Sequence, residues 1–506
     1  MRLKFPDFIF ALLSGFVTAL AFPKFGLQFF LWISLIPLLF LVSRMMPRQA
    51  LLISWIAGTV FYMLLLYWIP AVPAHYGNLS TGFSILIYVF LAVLLALSWA
   101  LFGLTFSVIR GKFGTAAFYL APFLWVSFEY IMTHLLTGFP WGILGTSQFK
   151  NLSFIQISTI TGVYGVSFVL VLFQSMFVYS IRSARRLPFA LAIILMSVIH
   201  LAGFLSLRQI AATPQSFEAA VIQGNVSSDI YWNEVQTDRI LELFKDHIAL
   251  TRDAYDKGAK LIIWPEFTVP LCFSCEEALY RNFSRILYQF VQDSQAMLLL
   301  GTNETSGSPG EEMFFNTAVG LTPDLKMTKY AKMHLVPFGE YTPYKAIFGF
   351  IQKMTHAIGE VTPGTEYVLH AYDSRKFGSP ICYEVIFPDL VRRFTKKGAN
   401  FLVTITNDGW YGKTSAPYQH FAQAVLRAVE NRRFLLRAAT TGISGIIDPY
   451  GRVVAQTEIM TKTFLTGKVT PRTDLTFYAR FGDLFSLICL TAAGGAFILA
   501  FFKRRT

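Results

Sequence analysis

Charge is the first thing in short supply. Only 14% of the 506 residues are Asp, Glu, Lys or Arg, where a soluble chain averages about 25%. With 54% hydrophobic residues as well, a wholly water-covered fold is excluded and much of the surface should meet lipid. Cysteine is equally scarce. Four positions in so long a chain exclude a disulfide framework, so each thiol has to be read alone. Acidic residues are nearly missing from both ends: outside residues 208–480 there are three, Asp7, Glu129 and Asp483, against 14 Lys and Arg. Inside that range 27 acidic residues balance 29 basic ones. The net charge of +13 therefore travels with the apolar segments, as topology signals do, and no nucleic-acid-binding face is implied. Internal repeats and low-complexity tracts are not evident either, which removes the repeat architectures.

What is abundant is apolar sequence in long runs. Crossing a hydrocarbon layer of ~30 Å takes about 20 apolar residues in a helix. Candidate spans lie near 5–22, 26–43, 50–69, 83–109, 116–135, 157–181 and 189–207, with one more at 485–502. The expectation is a polytopic α-helical membrane domain of eight spans. Seven fall in residues 1–207, a polar domain occupies 208–480, and the last span with a basic tail fills 481–506. Arg2, Lys4, Arg44, Arg48, Arg110, Lys112, Arg182, Arg185, Arg186, Lys503, Arg504 and Arg505 fall in loops on one side. The opposite short loops hold only Lys24 and Lys150. Basic loops stay in the cytoplasm, so both termini are expected inside and the large domain outside. Ala19-Leu20-Ala21 after an apolar run also resembles a signal-peptide cleavage site, and cleavage there would leave the remaining topology unchanged.

Residues 208–480 have a different character. β-rich runs at 219–223, 261–264, 297–301, 317–321, 380–382 and 401–406 alternate with helical patterns at 235–256, 276–294, 388–397 and 417–438. That alternation predicts a layered α/β domain with both sheet faces covered. Three runs end on reactive side chains. Leu261-Ile262-Ile263-Trp264 reads as a buried strand stopped by Pro265, leaving Glu266 at its carboxyl edge, where α/β sheets hold ligands. Lys332 and His334 alternate with apolar neighbours, as on one face of a strand. Gly378-Ser379-Pro380-Ile381-Cys382 leads into a helix near Pro388, the geometry of a nucleophile elbow whose following N–H groups can meet an oxyanion. Each taken alone is also an ordinary loop Glu, surface Lys or buried Cys.

Taken together, in the order Glu, Lys, Cys at successive strand ends, they resemble the nitrilase superfamily. Gln223-Gly224-Asn225, Trp264-Pro265-Glu266, the run from His334 to Glu340, Cys382-Tyr383-Glu384, the run from Thr406 to Gly412, and Gly138-Phe139-Pro140-Trp141 resemble motifs of its membrane-bound branch, the apolipoprotein N-acyltransferases. This resemblance covers essentially the whole chain. It implies an extracytoplasmic αββα sandwich and a Glu266–Lys332–Cys382 triad, with supporting roles for Trp232, Glu340, Tyr383 and Glu384. It further implies a multi-pass protein of the bacterial inner membrane with its catalytic domain in the periplasm. A membrane phospholipid would be the acyl donor and a diacylglyceryl-modified apolipoprotein the acceptor. No cofactor, metal or nucleic acid is implied, and a monomer is expected. Glu340 and Glu384 would orient Lys332 and the attacking amine. The alternative is a membrane-tethered carbon–nitrogen hydrolase, an amidase releasing its acyl group to water.

Several residues stand outside that set. Cys272 and Cys275 lack the two further ligands a zinc site needs, which leaves a disulfide or two loop thiols near the site entrance. Cys489 falls in the last span as an apolar filler. Glu129 and His134 near the outer end of the fifth span are candidates for substrate contact or for hydrogen-bonded anchoring. Arg427, Arg432, Arg433 and Arg437 read as ion-paired packing on the 417–438 helix. Ile347, Phe348, Phe350, Ile351 and Met354 form an apolar cluster in 344–364, expected to dip into the bilayer or to close over the site.

Overall fold

The computed structural model describes residues 3–77, 79–208, 215–226, 237–267, 273, 278–307, 312–344 and 360–502. Trp232, Cys272, Cys275 and the apolar cluster from Ile347 to Met354 lie outside the described residues. The chain forms two units: Met1–Pro70, Ser80–Ile210 and Arg480–Thr506 make the first, Ala71–Leu79 and Ala211–Ala479 the second.

The first unit is helical. Among the described residues, five helical stretches are long and apolar enough to cross a membrane: Pro47–Leu65, Thr81–His134, Val163–Ser183, Leu187–Leu207 and Leu484–Phe502. The 54 residues of Thr81–His134 are not one rod. Leu97–Phe113 ends at Gly114, where φ is +61°, and Ala117–His134 starts afresh after that turn. Leu187–Leu207 explains its own environment. It buries only Ala192 and Gly203, while Leu191, Ile194, Val198 and Leu201 are each more than half exposed. A helix apolar all round does not face water stably, at about 25 cal/mol per Å² of apolar surface. Its natural solvent is lipid.

Three expected spans differ in detail. The 26–43 segment divides into a 3-10 turn, Gln28–Trp32, and a seven-residue helix, Ile36–Val42. At 1.5 Å per residue that helix is roughly 10 Å long, too short to cross by itself. The 157–181 segment becomes a short turn, Ser158–Thr161, and a helix that starts only at Val163 after Gly162. Phe5–Leu20 is apolar but only 16 residues long.

The second unit is built on two six-stranded sheets. The strands are β1 (Phe217–Gln223), β2 (Leu261–Ile263), β3 (Met297–Ser306), β4 (Met313–Leu321), β5 (Met327–Ala331), β6 (Leu369–Tyr372), β7 (Arg375–Gly378), β8 (Phe401–Thr406), β9 (Leu435–Ala439), β10 (Gly445–Ile447), β11 (Val453–Gln456) and β12 (Thr463–Val469). One sheet runs β12-β1-β2-β3-β4-β5 and the other β11-β10-β9-β8-β7-β6. Each has three parallel strands at its heart, β1 to β3 and β7 to β9, flanked by antiparallel neighbours.

Period-two alternation decides what each face meets. On the first sheet Ala220, Ile222, Ile262, Trp264, Leu298 and Leu300 pack beneath helices Thr237–Asp256 and Ala278–Ser294. Those helices answer with apolar residues four apart, Ile240, Phe244 and Ile248 on one, Phe283, Leu287 and Val291 on the other. The opposite face meets the second sheet, where the Phe217 and Phe401 rings lie 5.3 Å apart. Helices Pro388–Lys396 and Ala416–Asn431 cover the far side through Phe394 against Gly378 and Phe421 against Gly445. The layering is α, β, β, α.

One helical expectation needs correcting. The helix expected at 417–438 stops at Asn431; Arg432 takes a left-handed turn, φ 51°, and the chain becomes β9. Arg427 pairs with Glu430 on the helix, whereas Arg437 sits on a strand and pairs with Asp408. Arg433 is held by the carbonyls of Ala399, Asn431 and Arg432, and Arg432 lies over the Tyr450 ring. The strand expected at 380–382 lies earlier, as β7, and the alternation read around Lys332 ends at Ala331.

Candidate active site

Both sheets deliver their side chains to one edge. Glu266 follows β2 and Lys332 follows β5, at the carboxyl ends of strands that run the same way in the first sheet, while Cys382 and Asn407 follow the parallel strands β7 and β8 of the second. Asn316 enters the same edge from the start of β4. Gly301 on β3 makes the approach possible. A Cβ there would lie 2.6 Å from the Glu266 Cα and 2.9 Å from the Pro265 carbonyl oxygen, so no larger residue fits without displacing the Glu266 turn.

Glu266, Lys332 and Glu340 form a buried ionic cluster. Lys332 Nζ donates to Glu340 Oε1 at 2.8 Å and lies 3.4 Å from Glu266 Oε1, with only 1% of its side chain exposed. The Asn316 carboxamide donates to both carboxylates, at 2.7 Å to Glu266 and 2.9 Å to Glu340. The second oxygens are also held: Glu266 Oε2 accepts from the Asn407 N–H at 2.8 Å, Glu340 Oε2 from the Val336 N–H at 2.7 Å. Burial works against the ammonium, but the Glu340 and Glu266 carboxylates overcome it and hold Lys332 above the ordinary lysine range. It stays a fixed cation.

Cys382 sits beside this cluster in an elbow. It adopts φ 50°, a left-handed conformation that costs a residue with a Cβ roughly 1–2 kcal/mol, and it opens the 3-10 turn Cys382–Ile386. Burial pushes its thiol up, the Glu266 carboxylate adds to that, and the Lys332 ammonium pulls the other way without prevailing. The resting sulfur is therefore a thiol. To act as a nucleophile it would have to pass its proton to a base as it attacks; of the two carboxylates whose charge reaches it, Glu266 acts more strongly than Asp408 and is the candidate.

Glu384 plays a part the sequence reading assigned differently. Its Oε1 accepts from the Tyr330 hydroxyl at 2.8 Å and from the N–H groups of Met333 and His334 at 2.7 and 3.0 Å. Its Oε2 accepts from the Ile381 N–H at 2.7 Å. The carboxylate thus ties the segment after Lys332 to the segment before Cys382, and its acceptor capacity is spent on this chain instead of an incoming amine. Burial lifts its pKa to about 7 against the pull of the Ile381 and His334 N–H groups. The Tyr383 ring is buried against His334 and Phe387.

Sequence reading missed two further pieces. Asn316 lies one residue before the run read as a strand, and an Asn at a strand edge carries no signal of its own. The other is a buried trio. His420 Nδ1 lies 2.9 Å from Asp408 Oδ1, Arg437 donates to Asp408 Oδ2 at 2.8 Å, and His420 Nε2 faces the Cys382 carbonyl oxygen at 3.1 Å. Burial raises Asp408, but Arg437 and His420 outweigh it and hold the acid at about 2.

In the first unit Glu129 is buried, accepting from the Trp125 indole at 3.0 Å and the Leu144 N–H at 2.8 Å. It anchors the turns at 140–148. His134 lies 3.7 Å from Asp483. Cys489 is a buried free thiol within Leu484–Phe502.

Comparison with known proteins decides the family. Residues 14–176 match the apolipoprotein N-acyltransferase N-terminal domain, and residues 218–475 match carbon-nitrogen hydrolase. An apolipoprotein N-acyltransferase of Geobacter metallireducens is 35% identical, covering 99% of this chain and 98% of the relative. The chain belongs to the apolipoprotein N-acyltransferase family. Another relative of that description, from Wigglesworthia glossinidia brevipalpis, is 30% identical over 88% of this chain and 87% of its own. Among solved structures, Nit3 of Saccharomyces cerevisiae, from the nitrilase superfamily, is 19% identical with a TM-score of 0.40, over 54% of this chain and 98% of that one.

Proposed function

We propose that this chain transfers a fatty acyl group from a membrane glycerophospholipid to the α-amino group of an N-terminal S-diacylglyceryl cysteine on an apolipoprotein, through a thioester on Cys382. The observation that carries this reading is the convergence of Glu266, Lys332 and Cys382 on one buried sheet edge, in a chain of this family.

In the first half-reaction the Cys382 sulfur forms a bond to the ester carbonyl carbon while its proton passes to Glu266. The carbonyl π electrons move to oxygen, where Lys332 and the Tyr383 N–H offset the charge; one such donor is worth roughly 3–4 kcal/mol in comparable sites. Collapse breaks the bond to the glycerol oxygen, which leaves with the proton from Glu266 as lysophospholipid. In the second half-reaction the amine nitrogen attacks the thioester carbon and gives a proton to Glu266. Collapse then returns the sulfur as a thiol and leaves an amide. A thioester yields to amines more readily than the ester that formed it, so the sequence runs forward.

The surrounding topology fits a lipid donor. Eight crossings, with both termini in the cytoplasm and the second unit in the periplasm of a bacterial inner membrane, are the arrangement we propose; the eight apolar runs support the count and the twelve-to-two distribution of basic loop residues supports the orientation. In this arrangement the shorter helices Phe5–Leu20 and Ile36–Val42 cross with their neighbouring turns. The competing amidase reading has no use for so many lipid-facing helices.

The test is a two-stage incubation of the purified full chain. Phospholipid alone should release lysophospholipid once per enzyme and stop. Adding a diacylglyceryl peptide with a free amine should restart release and give one amide per lysophospholipid. Continuous release of free fatty acid without a peptide would favour the hydrolase instead.

A further inference from the structure

We infer that His420, oriented by Asp408 and Arg437, is a positioning residue for the oxyanion: it donates to the Cys382 carbonyl and thereby fixes and polarises the Cys382–Tyr383 peptide, whose N–H meets the reacting oxygen. The inference rests on the proposed reading of Cys382 as the nucleophile.

The direction of the hydrogen bond follows from the acceptor. A carbonyl oxygen can only accept, so His420 Nε2, 3.1 Å away, must carry a proton. On the other side of the ring, Arg437 lies 3.0 Å from Nδ1 and Asp408 Oδ1 lies 2.9 Å from it. Arg437 also binds Asp408 Oδ2 at 2.8 Å and the Ile443 carbonyl at 3.2 Å, and the Thr406 hydroxyl donates to Asp408 Oδ1 at 3.0 Å. His420, Asp408 and Arg437 are completely buried. The ring is held at Nδ1, and Nε2 faces the Cys382 carbonyl oxygen.

That atom belongs to a consequential peptide group. The carbonyl of Cys382 and the N–H of Tyr383 lie on opposite sides of one planar amide. Holding the oxygen fixes where the N–H points, and drawing electron density toward the oxygen makes the N–H a stronger donor. Residue 382 also has the left-handed φ of 50°, which takes its carbonyl out of the strand and into the start of the 3-10 turn Cys382–Ile386, where His420 Nε2 reaches it. The buried His420 ring, held at Nδ1 beside Asp408 and Arg437, supplies the carbonyl with a partner. A structural polar cluster could have satisfied that carbonyl with any donor; the Asp–His–Arg chain adds a fixed dipole aimed at the elbow.

The experiment compares His420→Gln with His420→Asn in the full chain. A Gln carboxamide reaches the position of Nε2 and can still donate to the carbonyl, whereas Asn reaches only the Nδ1 side. Three quantities are read: the rate of Cys382 acylation by phospholipid, the affinity of a fatty aldehyde, and the rate of Cys382 alkylation by iodoacetamide. The aldehyde forms a hemithioacetal: the sulfur bonds to the carbonyl carbon, the thiol proton passes to Glu266, and an oxyanion appears in the same position. Alkylation creates no oxyanion. Removing a whole oxyanion donor costs about 10²–10³-fold in rate, and weakening one should cost about ten- to thirty-fold. We expect His420→Asn to lose that factor in both acylation and aldehyde affinity while alkylation stays within about threefold of the parent, and His420→Gln to recover most of the loss. Equal behaviour of Gln and Asn, or a parallel fall in alkylation, would overturn the inference. Should His420→Asn fail to fold, His420→Gln decides: aldehyde affinity more than tenfold below the parent's overturns the inference, and affinity near the parent's supports it. An unmodified parent enzyme that neither acylates nor alkylates at Cys382 would instead remove the reading beneath it.

Discussion

At the scale of single residues, the proposed mechanism couples one neutral thiol to a rigid set of charges. Glu266 has opposing effects on Cys382 under this proposal: as the proposed base it would enable attack, while as a nearby negative charge it raises the thiol. The two effects separate under different conditions. Glu266→Gln should abolish acylation near neutral pH, yet alkylation of Cys382 by iodoacetamide near pH 9 should become faster, because the thiolate is no longer opposed by that carboxylate. Slower alkylation across the whole pH range would contradict this account. Asn316 gives a second test. It donates to both carboxylates, and hydrogen bonds to charged groups are worth about 1.5–3 kcal/mol each. Asn316→Ala should lower the acylation rate about ten- to a hundredfold, less than Lys332→Ala, with Cys382 still present as a free thiol by titration. An unchanged rate would leave Asn316 without a role.

The pH dependence of stability has a definite sign at Asp408. Its folded pKa of about 2 lies below the ordinary 3.8. The group therefore stabilises the fold fully above that ordinary value, and the contribution disappears as pH falls through about 2. At neutral pH it is worth about 2 kcal/mol. Asp408→Asn should lower thermal stability at pH 7 and make the protein less sensitive to acid between pH 4 and 2. Equal acid sensitivity in parent and variant would argue against an ion-paired Asp408.

At the scale of elements, the elbow at Cys382 stores conformational strain. With φ at 50°, glycine is the residue that fits the backbone at least cost. Cys382→Gly and Cys382→Ala should both be inactive, but the Gly variant should be more stable by about 1 kcal/mol in denaturant titration. Equal stability would mean the elbow is relaxed. The elements also mark how far the sequence can be read. Glu266 was legible because four apolar residues and a proline announce a strand end, and Cys382 because Gly-Ser-Pro precedes it and a helix follows. The helix expected through 438 failed at Arg432. Good helix formers continue past that point, and only pairing of β9 with β8, a non-local interaction, turns the chain into a strand. Lys332 was placed on a strand that ends one residue earlier, because the N–H groups of Met333 and His334 are taken by Glu384. Side-chain acceptors more than 45 residues away leave no periodic trace. For the same reason the roles of Asn316 and His420 were invisible: each is defined by partners brought in from other strands.

At the scale of the whole molecule, composition sets a charge-balanced segment at 208–480 apart from long apolar runs, and Leu187–Leu207, one of those runs, forms a helix with a mostly exposed apolar surface. The direction of insertion rests on the twelve-to-two basic residues. Single cysteines engineered at exposed sites of residues 215–479 should react with a membrane-impermeant maleimide when the outer membrane alone is permeabilised. Reaction only after the inner membrane is breached would reverse the topology.

The central claim is that acyl transfer passes through a covalent thioester at Cys382. Intact-protein mass after incubation with a phospholipid of defined acyl chains, in the absence of acceptor, tests it directly. The account predicts one added acyl chain, located on Cys382, removed by hydroxylamine and discharged by a diacylglyceryl peptide. An acyl group of the same stoichiometry on the Cys382→Ala protein, or full transfer with no acylated enzyme at any time after mixing, would contradict it.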